Sequence, residues 1–203
     1  GAGGRAALDR FVEQAAALTR DHAEPADRVQ VLAPLMPALI AAAQTFLKPQ
    51  HYRSDAQGYT RNLIRDDPAH GLSLYAMVWL PGQWTPVHDH GSWGVVGVVE
   101  GMLEERSYLR MSPEADDENI DLVRGGVQLL TPGAVTSFVP NPDHIHVTGV
   151  AAERSRTVSL HLYGRTHEGL QHLRRCRPYA PPGAGDAQRE LRSAFGEWRI
   201  GEH

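Results

Sequence analysis

The 203-residue sequence predicts a mainly β protein, a closed barrel of the jelly-roll type with an N-terminal helical segment in front of it. Three observations lead there. From about residue 58 onward, short stretches rich in Val, Leu, Tyr and Trp alternate with Gly, Pro, Asp and Asn. Eight such stretches follow one another at the spacing of an all-β barrel. Before residue 50 the apolar positions recur instead at helical intervals.

The elements follow in order. Between Ala6 and Thr19, Leu8, Phe11, Ala15 and Leu18 share one helical face. Pro25-Ala26-Asp27 opens a second helix carrying Val29, Leu32, Leu35, Met36, Leu39 and Ile40, and Pro34 and Pro37 are expected to break it in two. Strands are expected near Leu72–Leu80, Thr85–His88, Trp93–Val99, Leu103–Leu109, Val127–Leu130, Val135–Phe138, His144–Val150 and Thr157–Tyr163. Glu114 to Glu118 reads as a solvated acidic turn. The stretch from Tyr179 is a Pro/Gly loop, and Asp186 is expected to cap a last short helix through Trp198. The chain thus reads as a single domain over residues 1–203: helices over about 5–48, barrel core over about 58–165 and a tail over about 178–203.

Composition bounds the function. A net charge of −4 without any long Lys/Arg run argues against a nucleic-acid partner. No apolar run approaches the ~20 residues of a membrane helix, and Gly1-Ala2-Gly3-Gly4 reads as a trimmed end and not as a signal peptide. The single cysteine, Cys176, allows no disulfide within the chain and suits a reducing, cytoplasmic setting.

The 11 histidines are the unusual feature, through their placement more than their number. His88 and His90 stand two apart on an expected strand, so their imidazoles share a face. Two neutral imidazoles converging from one backbone are half of a transition-metal site. An isolated His-x-His is more often a pair of surface or hydrogen-bonded rings. Here, however, the pair sits in Gly82-x5-His88-x-His90-x3-Gly94-x6-Gly101, which resembles the first cupin motif except that Gly94 replaces its glutamate ligand. That loss predicts a site of three histidines and no carboxylate; a site that has lost its metal is the alternative the motif alone leaves open. The third ligand is expected from Pro140 to Val147, where His144 and His146 share a face and periodicity does not choose between them. Farther on, Ser159, His161 and Tyr163 line one face of a strand, and Val158, Leu160 and Leu162 the other. A polar face in water is the plain reading of that strand, and a face lining the barrel interior is the functional one.

Taken together these segments resemble the cysteine dioxygenase type I family, including its bacterial relatives that act on 3-mercaptopropionate. The resemblance rests on His88-Asp89-His90, on the string Ser159-Leu160-His161-Leu162-Tyr163, on His146 standing 13, 15 and 17 residues before Ser159, His161 and Tyr163, and on Tyr59-Thr60-Arg61 with Trp79 nine residues before His88. The family spacing selects His146 over His144. The resemblance implies a ferrous iron, Fe(2+), on His88, His90 and His146, a small thiol substrate bound as thiolate, and O2 as co-substrate, with both oxygen atoms ending on sulfur. Three neutral ligands leave the iron its full charge, which favours an anionic thiolate. It further implies that Arg61 grips the substrate carboxylate, that Tyr163 points its hydroxyl at the reacting atoms with His161 orienting it and Ser159 fixing His161, and that Tyr59 and Trp79 wall the pocket. The plain alternative for Arg61 is a surface arginine; for Tyr59 and Trp79 it is ordinary aromatic core.

Two departures bear on the carry-over. Animal members crosslink a cysteine to the active-site tyrosine, whereas Gly94 or Val95 stands at that place here, so no crosslink is expected. Animal members also follow the tyrosine with Ser-Pro, where this chain has Gly164-Arg165. The expected reaction is oxidation of L-cysteine to cysteine sulfinate, because Arg61 resembles the arginine-type cysteine enzymes. The alternatives are 3-mercaptopropionate or mercaptosuccinate as substrate and, in a different class, a non-redox metal-dependent isomerase or a ligand sensor.

Overall fold

The structure is a computed structural model that describes residues 2–111, 122–140 and 145–171. The acidic turn at 114–118, His144, Cys176 and the expected tail elements after residue 178 lie outside the described residues.

Helix α1 (Ala2–Asp21) is followed by α2 (Pro25–Leu32), a 3-10 turn (Ala33–Leu35), α3 (Met36–Ala41), α4 (Ala43–Phe46) and a second 3-10 turn (Pro49–Tyr52). Pro25 opens α2 in its first turn, where a missing N–H leaves no bond unmade. Pro34 and Pro37 have the expected effect: the helix tightens to a 3-10 turn and restarts as α3.

The strands are β1 (Thr60–Asp67), β2 (Leu72–Trp79), β3 (Gly94–Glu100), β4 (Leu103–Arg110), β5 (Leu122–Leu130), β6 (Val135–Phe138), β7 (Ile145–Gly149) and β8 (Thr157–Tyr163), with a short helix α5 (His167–Gln171) after them. They form two antiparallel sheets, β1-β2-β8-β3-β6 and β5-β4-β7. The fold class is as the sequence predicts: mainly β, with a helical segment ahead of the sheets.

Three expectations are corrected. Strand β1 is present although Thr-Arg-Asn-Leu-Ile-Arg-Asp-Asp shows no apolar alternation; it is an edge strand, bonded on one side only to β2. Thr85–His88 is not a strand. It runs extended beside β7, with Thr85 N–H donating to Thr148 O and the His88/His146 pair exchanging both backbone bonds, but Pro86 has no N–H and the ladder is cut to isolated bridges. Strand β5 begins at Leu122 and not at Val127, because Arg124-Gly125-Gly126 conceals its first half.

The five-stranded sheet is covered on both faces. Leu72, Leu74, Ala76, Val95, Leu160 and Leu162 pack outward against Phe11, Leu32, Met36 and Leu39 of the helices. Gly97 makes this close, since a Cβ there would stand 2.5 Å from Met36 Cγ. Burial on both faces explains why β2 and β8 are buried along almost their whole length. The alternate residues of these strands point inward, toward the second sheet, and build the site.

Candidate metal centre and its pocket

The backbone brings the histidines together. His88 and His146 are directly opposed across an antiparallel bridge, so their side chains leave the same face. His90, two residues on, brings its ring beside both, with centroids 4.8 Å from that of His88 and 4.4 Å from that of His146. Potential ligand atoms of His88, His90 and His146 all lie within 4.8 Å of one another, and the Nε2 atoms of His88 and His146 are 3.1 Å apart. Two ligands at right angles on a metal at ~2.1 Å stand about 3 Å apart, so this pair has the spacing of adjacent ligands.

The donor atoms fit a cation. His88 Nδ1 is 2.7 Å from Pro86 O and donates to it, which leaves its Nε2 as a lone pair. His146 Nδ1 faces the Glu105 carboxylate at 3.4 Å, an ion-pair distance longer than a good hydrogen bond. That places the proton of His146 on Nδ1 as well. Two lone pairs aimed at one point repel each other unless a cation or proton lies between them, and a transition metal meets that demand. His90 is held differently: its ring stacks on Phe138, with centroids 3.8 Å apart and planes 17° from parallel.

Phe138 also explains the missing glutamate. It is the register partner of Gly94, and a Cβ added at Gly94 would overlap its ring. The space a cupin gives to a carboxylate ligand is filled here by an aromatic side chain. Gly94 is equally the register partner of Tyr163, so a side chain reaching from residue 94 toward that tyrosine is absent too.

The second cluster lies on β8 and β2. Trp79 Nε1–H donates to Ser159 Oγ at 3.0 Å; Ser159 Oγ is 2.7 Å from His161 Nε2; His161 Nδ1 is 3.3 Å from the Tyr163 hydroxyl. The direction follows from the one group that can only donate. The indole occupies an acceptor site of Ser159, Ser159 gives its hydrogen to Nε2, and the His161 proton therefore sits on Nδ1 facing Tyr163. Burial, then the charge of Arg61, then His146 push the His161 pKa down to about 3, so the ring stays neutral. The sequence offered Trp79 as a pocket wall. It is also the anchor of this hydrogen-bond chain, and Tyr59 stacks on it at 4.6 Å.

Arg61 stands on β1 as the register partner of Met77 and joins the same cavity, its guanidinium 5.0 Å over the Tyr75 ring. Among the described residues no carboxylate lies within ion-pair distance of it. The cavity, about 650 Å³ with the open space at its mouth included, gathers Tyr59, Arg61, Trp79, the three clustered histidines, His161 and Tyr163; Ser159 sits behind His161. Its lining, apolar and aromatic walls with a few convergent polar groups, suits a small molecule. Sequence reasoning missed Glu105, Phe138, Tyr75 and Met77. Glu105 and Tyr75 carry no local signal; they enter through strand register, Glu105 as the partner of Thr148, two residues from His146.

Comparison with known proteins agrees with this picture. The sequence profile of the family described as cysteine dioxygenase type I matches residues 8–175. Solved structures similar to the chain include a cupin-like protein from Thermotoga maritima, 18% identical over 73% of this chain and 96% of that chain, TM-score 0.42. Another is L-ribose isomerase from Cellulomonas parahominis, 16% identical over 54% of this chain and 61% of that chain, TM-score 0.42. Scores this low bear no weight for the site. The profile match spans both clusters, three imidazoles converge where that family holds its metal, and the chain belongs to the cysteine dioxygenase type I family of thiol dioxygenases.

Proposed function

We propose that the protein is an iron(II)-dependent dioxygenase that converts L-cysteine to cysteine sulfinate. The thiol and O2 combine as RSH + O2 → RSO2H, so no further reductant is needed. One observation supports this above the rest: a cluster of three imidazoles shares a cavity with a half-buried guanidinium that has no carboxylate partner among the described residues. Such a pair of poles suits a molecule with a thiol at one end and a carboxylate at the other.

Ferrous iron on His88, His90 and His146, when bound, supplies a cation that favours thiolate over thiol and can react with O2. The chain's own residues do the rest. Arg61 receives the carboxylate as a two-pronged donor and sets the distance between that group and the sulfur. Neutral His161 donates from Nδ1 to the Tyr163 oxygen, and the tyrosine hydrogen, which faces the weak thioether acceptor Met77 Sδ at 3.8 Å, can turn from it to the reacting end of the substrate. Tyr59 and Trp79 close one side of the cavity against water.

The test is oxygen uptake by ferrous-loaded protein with L-cysteine, 3-mercaptopropionate and mercaptosuccinate in turn. L-cysteine is expected to give the highest kcat/KM. A far higher value for 3-mercaptopropionate would sink the cysteine assignment while keeping the chemistry. Nickel or zinc in protein purified from cells, with no thiol-dependent uptake after iron loading, would turn the reading toward a non-redox isomerase or sensor.

A further inference from the structure

The guanidinium proposed to receive the substrate carboxylate poses a question of its own: an arginine without a carboxylate partner among the described residues needs something else to hold it. Tyr75 is fully buried on β2, and the Arg61 guanidinium lies 5.0 Å over its ring. A cation is attracted to the face of an aromatic ring, most strongly where water is excluded. The ring in turn is fixed. Its hydroxyl bonds His167 Nδ1 at 2.7 Å, and the His167 backbone N–H donates to Asp66 Oδ1 at 2.8 Å, back on the strand that carries Arg61. Ser73, also on β2, donates to Arg165 O at 2.6 Å, so the turn between β8 and α5 is tied to β2 at two points. Tyr75 also meets Tyr163 edge-on, with centroids 5.8 Å apart.

We infer that Tyr75, locked by His167, is a positioning residue for Arg61: it holds the guanidinium by its ring face and leaves the whole charge available to a substrate carboxylate. The chemical reason is competition. A carboxylate partner would hold Arg61 as firmly, but the substrate would have to displace it, whereas an aromatic face attracts the cation without occupying its N–H donors. The buried hydroxyl matters because it removes the ring's freedom to rotate away, and a buried tyrosine O–H needs a partner in any case. The inference rests on the reading of Arg61 as the carboxylate site.

The experiment is equilibrium binding to the ferrous holoenzyme with oxygen excluded, which reads affinity without turnover. Two thiols are compared: L-cysteine, and 2-aminoethanethiol, which is cysteine without its carboxylate. Tyr75→Met keeps the side-chain bulk and removes the ring. It is expected to weaken L-cysteine about tenfold and to leave 2-aminoethanethiol within about twofold. Tyr75→Phe keeps the ring but cuts its tie to His167, and is expected to weaken L-cysteine about threefold and to leave 2-aminoethanethiol unchanged. His167→Ala, at a half-buried position, cuts the same hydroxyl tie from its other end and should reproduce the Phe result; if Tyr75→Met does not fold, absence of that selective loss in both variants overturns the inference. In an Arg61→Ala background Tyr75→Met should change nothing more. Equal weakening of both thiols, or an unchanged L-cysteine affinity in Tyr75→Met, overturns the inference. If the unaltered protein binds both thiols equally, or if Arg61→Ala leaves L-cysteine binding intact, the carboxylate reading of Arg61 itself falls, and the inference with it.

Discussion

His146 and His161 are buried to the same depth, each 5% exposed, and face the same cavity, yet their surroundings assign them opposite tasks. His146 has an acceptor only behind it, the Glu105 carboxylate at Nδ1, while its Nε2 points at the Nε2 of His88. His161 has a hydroxyl on each ring nitrogen, Ser159 at Nε2 and Tyr163 at Nδ1. One ring keeps a lone pair pointed into open space shared with two other imidazoles. The other spends both nitrogens on fixed hydrogen bonds and has none to give a metal. Burial alone therefore does not make a histidine a ligand; what lies beyond each ring nitrogen decides it.

The contrast is broken most severely at His146. His146→Ala is expected to leave a pair of imidazoles and lose stoichiometric iron, whereas His161→Gln should keep it, both read by metal analysis of protein purified after iron loading. If His161→Gln were the variant that lost the metal, the division of labour would be reversed.

The next effect belongs to pH. His161 is held neutral with a pKa of about 3 by burial first and the Arg61 charge second, while an unfolded histidine titrates near 6.5. Between those values the unfolded chain takes up a proton that the folded chain refuses. Stability is therefore complete above about pH 6.5 and declines as pH falls toward 3, by roughly 3 kcal/mol between pH 6.5 and 4. Denaturant unfolding of metal-free protein across that range should show a shallower acid decline for His161→Gln than for the unaltered chain. Parallel declines would mean that the ring is not the group refusing the proton.

The smallest of the three sits behind the ligand. Glu105→Gln preserves shape and removes the charge that fixes the His146 proton on Nδ1, and should weaken iron binding by roughly 10- to 100-fold without abolishing it. Competition with a chelator of known affinity measures this directly. An unchanged affinity would make Glu105 a bystander to the ligand it faces.

Much of this could be read from the chain, and what could not has a common cause. Ser159, His161 and Tyr163 were legible because period-two spacing on one strand needs no knowledge of any other strand. His88 with His90 was legible through the same period-two spacing, although isolated bridges and not a strand hold that segment. The choice between His144 and His146 was not, since both share a face; it came from a family spacing. Strand β1 escaped notice because an edge strand with a charged sequence shows no alternation, yet it carries Arg61 to the cavity. Glu105, Tyr75 and Phe138 take their places through cross-strand register, which depends on how β2, β4 and β6 pair and not on the residues beside them. Trp79 was seen as bulk, and only a distance to Ser159 shows its N–H at work.

Phe138 has a consequence for how such a site can change over time. A glutamate appearing at position 94 would strike its ring, and loss of that ring would take the stacking partner from His90. Each change is harmful when it comes first. Passage between a ligand set with a carboxylate and one without it therefore requires two substitutions together, a rugged stretch of sequence space that drift crosses slowly. The ring fills the place a side chain at position 94 would take, and in the same contact it ties the lineage to a cluster of three histidines.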